Sequence, residues 1–321
     1  MNLVRPVSPS TPSYVRVDCE AVGQRIDNFL IRHLKGVPRS HLYRVLRKGE
    51  VRVNRSRVKP EYRLQVGDEV RIPPLRRAEP TPAREPLPAS MLERIAGQIL
   101  FEDERLLIVD KPAGIAVHGG SGVHHGLIEA LRRLRPNQEL ELAHRLDRET
   151  SGCLLVSKRR SMLRELHQLL RENAIEKRYI ALLVGRMNQR QITVEAPLRK
   201  NVLRSGERLV QVDPVDGKPA LTRFRRIEVR ADATLVEARL VTGRTHQIRV
   251  HAAHLGLPIA GDDKYGDTRA EQWLRRRGLR RLFLHAASIA FRSTQTDASM
   301  RVDAPLPHEL VTLLGAISTK P

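Results

Sequence analysis

Residues 144–152 read HRLDRETSG, and they place one acid, Asp147, between two arginines, Arg145 and Arg148. The Thr-Ser-Gly ending is typical of a tight turn. A guanidinium beside a carboxylate favours the ionised form of the acid. Such an acid can stabilise positive charge in a reacting substrate, or it can form an ordinary surface ion pair. The residues alone leave both interpretations open.

A second group of acids lies in the segment GDDKYGD. Asp262, Asp263 and Asp267 could together hold Mg²⁺ for a nuclease. The same composition is typical of a polar loop, and we predict no metal site there. His124 and His125 are adjacent and would point apart on regular structure, which argues against a zinc site.

The glycine-rich stretch GGSGVHHG, residues 119–126, does not indicate a nucleotide cofactor. It lacks the GK[ST] ending of a phosphate loop and the GxGxxG spacing of a dinucleotide site. We interpret it as a flexible active-site loop and predict no cofactor. Cys19 and Cys153 are too few for a disulfide framework or a Cys-rich zinc site.

The composition points to a polyanionic partner. The 321 residues carry 57 Lys or Arg against 36 Asp or Glu, a formal net charge of +21. This balance favours nucleic acid over an anionic membrane. No apolar run approaches the ~18–20 residues of a membrane span, and the Pro/Ser-rich N-terminus lacks the apolar core of a signal peptide. We expect a cytoplasmic protein with no membrane partner, and a monomer by default.

Six prolines interrupt residues 73–88, PPLRRAEPTPAREPLP. Proline lacks the backbone N–H that helices and central strands need, so this stretch is predicted to be a semi-extended linker. It divides the chain into a disordered tail at 1–14, a small module at 15–72 and a large module at 89–321. The length is sufficient for two domains.

The small module begins with two helical patterns. RIDNFLIRHL places Ile26, Phe29, Leu30 and Leu34 on one face. SHLYRVLRKG follows, with Ser40 as the predicted N-cap and Gly49 as the helix stop. A basic helix face is often simply solvated, but here the charge continues through the next strand and turn. These basic residues predict a nucleic-acid surface: Arg44, Arg47, Lys48, Arg52, Arg55, Arg57 and Lys59.

The large module mixes strand and helix patterns. Strands are predicted in LLIV (106–109), CLLVSK (153–158), EKRYIALLVGR (176–186) and ATLVEARLV (233–241). SMLRELHQLLREN and QIRVHAAHLG have helical spacing. The pattern predicts an α+β class, with a mixed, mostly antiparallel sheet and flanking helices.

The small module resembles the S4 RNA-binding module. The resemblance depends on RIDNFL, SHLYRVLRKGEVRVN and KPEYRLQVGDEVRI, in this order within residues 16–72. It implies binding of structured RNA through shape and phosphate contacts rather than through base identity.

The large module carries KPAG (111–114), HRLDRETSG, the strand with Tyr179, and LVTGRTHQIRVHAAHLGLPIAGDDKYGD, in this order. Together they resemble the pseudouridine synthases that act on large-subunit (23S) ribosomal RNA. With the S4 module included, the resemblance covers roughly residues 15–310. The chain departs from the family in the loop at 267–280 and in FRSTQTD, and both departures leave the motif residues intact.

The resemblance implies an isomerase that needs no cofactor. The reaction breaks the N1–C1′ bond of a uridine, turns the uracil and forms a C5–C1′ bond. A carboxylate is required beside C1′, whose developing positive charge it stabilises or captures. Asp147 matches the family's aspartate. Arg249, in HQIR, matches the arginine that pairs with it, and Arg244 lies nearby in sequence. Both arginines could instead be solvent-facing phosphate contacts.

Tyr179 matches the family's active-site tyrosine, whose ring can stack on uracil and whose hydroxyl can assist loss of the C5 proton. It shares a strand face with Lys177, opposite the aliphatic face, which argues against an ordinary core tyrosine. Leu284, in FLHAA, matches an apolar residue that closes the pocket, although core packing explains it equally well. Arg145 and Arg148 are expected to hold phosphates around the target nucleotide.

The expected partner is 23S ribosomal RNA or a large-subunit precursor. Three alternatives stay open. A non-catalytic RNA-binding or ribosome-assembly protein would need the S4 module but not Asp147. A metal-dependent nuclease would need the acidic loop and Mg²⁺. A pseudouridine synthase could also act on other rRNA or tRNA sites.

Overall fold

The chain divides into two compact units, residues 1–86 and 87–321, in the computed structural model. The structure describes residues 11–19, 21–34, 37–75, 87–119, 125–202, 208–267, 269 and 271–317. No helix within these ranges is both long and apolar enough to cross a membrane.

The small unit combines two helices with a four-stranded antiparallel sheet. Its elements are β1 (Ser13–Arg16), α1 (Ile26–His33), α2 (Arg39–Lys48), β2 (Arg52–Val53), β3 (Ser56–Arg57) and β4 (Glu69–Ile72). The strand order is β1-β4-β2-β3. On the predicted inward face of α1, Ile26, Phe29 and Leu30 are buried, whereas Leu34 follows the last turn of the helix and is half-buried against the same core cluster.

Helix α2 ends where the sequence predicts, but it begins earlier than predicted. Ser40 is not the N-cap, because the helix already begins at Arg39 and Pro38 occupies the cap position. Proline suits this place, since a residue there needs no free N–H. Gly49 ends the helix as predicted, in the left-handed conformation with φ +70°.

Two predicted boundaries need correction. The tail predicted at 1–14 is too long, because Ser13 and Tyr14 pair with β4. The linker predicted at 73–88 begins too early, because Leu75 is buried in the core of the small unit. Most of both segments lies outside the described residues.

The large unit is built around a ten-stranded sheet. Its elements are α3 (Ala89–Ala96), β5 (Ile99–Glu102), β6 (Leu106–Lys111), α4 (Leu127–Leu134), β7 (Glu141–Leu142), β8 (Ser151–Ser157), α5 (Arg160–Arg171), β9 (Glu176–Val184), β10 (Gln191–Glu195), β11 (Leu198–Val202), β12 (Arg208–Val212), β13 (Leu221–Arg230), β14 (Ala233–Leu240), α6 (Gln247–His254), α7 (Gln272–Arg276), β15 (Leu284–Arg292), β16 (Ser299–Asp303) and α8 (His308–Gly315).

The main path of this sheet is β10-β13-β14-β9-β15-β8-β6-β5, with β16 beside β15 and β7 beside β8. Strands β11 and β12 form a separate hairpin. Among the described strands only β15 and β8 pair in parallel. The predicted α+β class with a mixed, mostly antiparallel sheet is therefore confirmed.

Helices cover both faces of the large sheet. Ile95 of α3, Leu131 of α4 and Ala252 of α6 belong to the core cluster on one face. Two further clusters contain α5 in one case and α7 with α8 in the other. The central strand β9 therefore has buried side chains on both sides, with Ala181 in the first cluster and Leu182 in another.

Candidate active site

Asp147 lies in the turn that leads from β7 into β8. The backbone N–H of Thr150 donates to the carbonyl of Asp147 at 3.2 Å, which closes the turn. Strand β8 then pairs with β15, with Gly152 opposite Ala286. Gly152 has φ +107°, and a Cβ there would lie 2.3 Å from the carbonyl oxygen of Ala286. Only glycine allows this close approach, which fixes the turn against a central strand.

A buried lysine ties the Asp147 turn to the KPAG segment. Lys111 is fully buried. Its Nζ donates to the carbonyl oxygens of Pro112, Ile115 and Arg148 at 2.8, 2.9 and 3.0 Å. Since buried polar groups need partners, these three bonds allow a charged side chain to hold the two segments together.

The two arginines that flank Asp147 have different surroundings. Arg145 is exposed and lines the cavity that contains Asp147. Arg148 is exposed too, but its Nε donates to the carbonyl of Gly114 at 3.0 Å and lies 3.5 Å from a carboxylate oxygen of Glu149. Of these two predicted phosphate ligands, Arg145 lines the cavity and Arg148 does not.

Arg249, on α6, faces two carboxylates. Its Nη1 lies 3.6 Å from Oδ2 of Asp147, an ion pair longer than a hydrogen bond. Its Nε and Nη2 donate to the two carboxylate oxygens of Asp262 at 2.8 and 2.7 Å. The structure brings Arg249 to Asp147, but the planar fork of the guanidinium is bound to Asp262.

Asp262 is buried and fixes the position of the guanidinium. Burial alone would lower the pKa of Arg249, but the hydrogen bonds to Asp262, together with the negative charges of Asp262 and Asp147, hold the pKa above its ordinary value. The guanidinium carbon also lies 5.1 Å from the centroid of the Tyr265 ring, a cation–π contact. Arg249 is therefore a fixed positive charge beside Asp147.

His246 precedes α6 and also approaches Asp147. Its Nε2 lies 3.8 Å from Oδ1 of Asp147, and its Nδ1 shares a 2.7 Å hydrogen bond with the hydroxyl of Tyr265. Its φ of +53° is strained for a residue with a side chain, at about 1–3 kcal/mol. Burial lowers the pKa of His246, which favours the neutral ring.

Tyr179 and Leu284 come from the adjacent strands β9 and β15, and both line the cavity with Asp147. Tyr179 is 6% exposed. Burial, followed by the charge of Asp147, raises the pKa of the Tyr179 hydroxyl. The phenol is therefore neutral at neutral pH.

Tyr179 lies on a buried face of β9, contrary to the prediction from the strand pattern. The face shared with Lys177 was expected to differ from the core, yet Tyr179 and Ala181 belong to the core cluster that contains α3, α4 and α6, and Lys177 is itself buried. The reason is that β9 is a central strand with both faces covered. Its position on the cavity wall distinguishes Tyr179 from an ordinary core residue.

Asp147, Tyr179, His246, Arg249 and Leu284 line one cavity of about 640 Å³. The volume lies within the ~300–1,000 Å³ range of small-molecule pockets. Asp147 is the one carboxylate among its described lining residues. The Lys and Arg side chains in the lining are Arg145, Arg171, Lys177, Arg244 and Arg249. This balance suits an anionic substrate.

The acids of GDDKYGD do not converge on a metal site. Asp262 binds Arg249, whereas Asp263 is exposed and lies 3.1 Å from Arg275. Within the described ranges, no group of three or more His, Cys, Asp or Glu side chains could hold a metal ion. His124 and most of GGSGVHHG lie outside those ranges.

The seven basic residues predicted as a nucleic-acid surface in the small unit are all exposed. Arg44, Arg47 and Lys48 lie on α2. The others lie on or near the β2–β3 hairpin: Arg52, Arg55, Arg57 and Lys59. The hairpin turn has positive φ at both Asn54 and Arg55, the geometry that two-residue hairpin loops favour.

Two family models match this chain. Residues 105–254 match the model for RNA pseudouridylate synthases, and residues 24–70 match the S4 domain. The ribosomal large subunit pseudouridine synthase C of Pasteurella multocida is 54% identical over 299 residues, which cover 93% of this chain and 91% of that protein. The Escherichia coli K12 protein of the same name is 53% identical over 305 residues, covering 94% and 95%. The chain belongs to the RNA pseudouridine synthase family.

The fold of this synthase is also similar to solved structures. Human RNA pseudouridylate synthase domain containing 1 has a TM-score of 0.60 at 25% identity, covering 74% of this chain and 91% of that one. Human RNA pseudouridylate synthase domain containing 4 has a TM-score of 0.59 at 24% identity, covering 71% and 95%. The second likeness shows a shared fold only.

Sequence reasoning missed two residues that shape this synthase site. Asp262 was assigned to a polar loop, and His246 was given no role. One signal was available for Asp262, because it follows the apolar run PIA at 258–260. In the structure Ile259 bridges to Leu183 of β9, which brings the end of that run to the central sheet.

Proposed function

We propose that this synthase converts specific uridines of 23S ribosomal RNA, or of a large-subunit precursor, to pseudouridine. The observation that carries the proposal is the Asp147 carboxylate, which faces Arg249 in a cavity lined by basic side chains. The names of the relatives specify the large ribosomal subunit. Their similarity extends over both units of this chain.

Asp147 acts beside C1′ of the target uridine. Breaking the N1–C1′ bond leaves positive charge at C1′, which the carboxylate stabilises or captures. The freed uracil turns, the C5–C1′ bond forms, the C5 proton leaves to solvent and N1 takes up a proton. The net change is an isomerisation without a change of oxidation state, so the reaction needs no cofactor. Arg249, held by Asp262, places a fixed positive charge 3.6 Å from the Asp147 carboxylate.

Tyr179 supports the uracil while it is out of the RNA stack. Extrusion of a nucleotide requires a few kcal/mol, and stacking on an aromatic ring recovers about 1–3 kcal/mol. Because the pKa of its hydroxyl is raised, Tyr179 does not act as a phenolate base. Its neutral hydroxyl instead assists loss of the C5 proton by a hydrogen bond. Leu284 closes the apolar side of the pocket.

Basic side chains hold the RNA around the target. Arg145, Arg148 and Arg244 bind phosphates near the flipped uridine, and the basic residues of the small unit bind structured RNA. We assign residues 13–75 to the S4 domain and 87–317 to the catalytic domain. The protein acts as a cytoplasmic monomer.

The test uses 23S rRNA transcribed in vitro, which contains no pseudouridine. After incubation with the protein, carbodiimide treatment and primer extension map each pseudouridine as a stop. We expect stops at a few uridines, and none with Asp147→Asn. Stops in a tRNA transcript but not in 23S rRNA would reassign the substrate, and no stops in any RNA would contradict the proposal.

A further inference from the structure

Lys177 is a buried cation with no hydrogen-bond or ion-pair partner among the residues that the structure describes. It lies on β9, two residues before Tyr179, and it lines the cavity that contains Asp147. Its exposed fraction is 9%. Burial lowers its pKa, and no carboxylate of the described residues offsets this effect. No described residue accepts a hydrogen bond from its Nζ.

The space beside this ammonium group is open to the cavity. A Cβ placed on Gly243 would lie 3.8 Å from Nζ of Lys177, in ordinary contact, and glycine leaves that space empty. Gly243 is exposed and lines the same cavity. A group that enters the cavity can therefore reach the lysine.

An anion is the ligand that this lysine lacks. A buried charge without a counter-ion destabilises a protein, and an incoming anion removes that penalty. Uracil is neutral, so the anionic groups of an RNA substrate are its phosphates. Two residues of a strand span about 7 Å, so Nζ of Lys177 is near enough to Tyr179 for one nucleotide to reach both.

We propose that Lys177 receives a backbone phosphate adjacent to the target uridine inside the cavity. The inference depends on the proposed function for the identity of the substrate. It assigns Lys177 to substrate binding, at a point deeper than the exposed arginines at the cavity mouth. In the free protein the lysine is destabilising, and the bound phosphate satisfies it.

The experiment combines protein variants with modified RNA. A short hairpin that contains a target uridine is made with one neutral methylphosphonate at each phosphate around that uridine in turn. Binding is measured for wild type, Lys177→Met and Lys177→Arg. Lys218→Met is the matched control, because it removes an exposed lysine of the same unit outside the cavity lining.

One methylphosphonate position should weaken wild-type binding by about tenfold, the size of a charge-assisted hydrogen bond. Lys177→Met should bind unmodified RNA about tenfold more weakly than wild type does. The methylphosphonate at the sensitive position should cause no further loss of affinity in this variant. Lys177→Arg should stay sensitive to it, and Lys218→Met should respond as wild type does. The RNA-free melting temperature of Lys177→Met should equal or exceed that of wild type.

Three results would overturn the inference. If the affinity loss from Lys177→Met and the loss from a methylphosphonate add together at every position, Lys177 contacts no phosphate. A second RNA carries 4-thiouridine in place of the target uridine. If the binding loss from this base change disappears in Lys177→Met, the lysine contacts the base and not a phosphate. A lower melting temperature of RNA-free Lys177→Met, together with additive losses, would make the lysine structural. Binding reports on Lys177 without turnover, so an inactive wild type would contradict the proposed function separately.

Discussion

Among the described lysines of the large unit two are buried, Lys111 and Lys177, and their surroundings are opposite. Lys111 donates three hydrogen bonds to backbone carbonyls, and it joins the KPAG segment to the Asp147 turn. Lys177 lines the cavity and has no partner among the described residues. Burial lowers the pKa of both, for Lys111 to about 7. The first lysine is satisfied by the fold, and the second is left for a ligand.

The carboxylates of the site divide in the same way. Asp262 is buried and accepts both hydrogen bonds of the Arg249 fork. The ion-pair contacts of the Asp147 carboxylate with described residues are longer, 3.6 Å to Arg249 and 3.8 Å to His246. Satisfied groups determine the shape of the cavity. The groups with weak or missing partners are those expected to meet the RNA.

The largest effect should come from removing the charge of Asp147. Asp147→Asn is nearly isosteric and should lower pseudouridine formation by about 10³-fold, as for loss of a charge-stabilising group. RNA affinity and melting temperature should change little, because the fold does not depend on this carboxylate. Asp263→Asn, which alters an exposed acid, is the control. Residual activity above about one per cent, with deamidation excluded, would contradict the role of Asp147.

Tyr179→Phe should have the next largest effect. It keeps the ring and removes the hydroxyl, so RNA should bind normally while tritium release from C5 of uridine slows about 100-fold in single turnover. Tyr179→Ala should also lose affinity for the extruded base. Wild-type release by the Phe variant would exclude the hydroxyl from proton loss, and wild-type release by the Ala variant would make Tyr179 a core residue only.

Lys111→Met tests the satisfied side of the comparison. It removes the donor from three buried carbonyl groups, so the free energy of unfolding should fall by about 3 kcal/mol or more. Urea denaturation of the RNA-free protein measures this difference. Lys177→Met, examined in parallel, should show no decrease. If the free energy of unfolding falls equally in the two variants, the number of hydrogen-bond partners does not distinguish a structural lysine from a functional one.

A smaller effect is expected from the basic face of the small unit. Alanine at Arg44, Arg47 and Lys48 together should reduce the slope of log affinity against log salt by about 2–3, for three lost phosphate contacts. The matched control removes three exposed arginines of the large unit: Arg276, Arg277 and Arg280. An unchanged slope in the first variant would mean that this face is only solvated.

The sequence predicted the parts of the site that lie in contiguous motifs. The turn with Asp147, the strand with Tyr179 and the helix with Arg249 each have a local pattern, and the structure brings them to one cavity. It could not predict that Asp262 is the main partner of Arg249. That contact joins two segments through sheet packing, and a charged loop looks alike in sequence whether it is buried or exposed. For the same reason the sequence could not predict that the side chain of Lys177 is buried beside the cavity.

The smallest expected effect is that of a chelator. Two acids of the GDDKYGD segment already have partners within the protein, since Asp262 binds Arg249 and Asp263 contacts Arg275. The described residues contain no cluster of three ligands. Activity in EDTA should therefore equal activity in Mg²⁺, on a short hairpin RNA whose fold is stable in monovalent salt. Melting of the RNA under both conditions is the control. A loss that Mg²⁺ restores while the RNA stays folded would show that some of these carboxylates are free to bind metal, and the division between satisfied and unsatisfied groups would then fail for the acids.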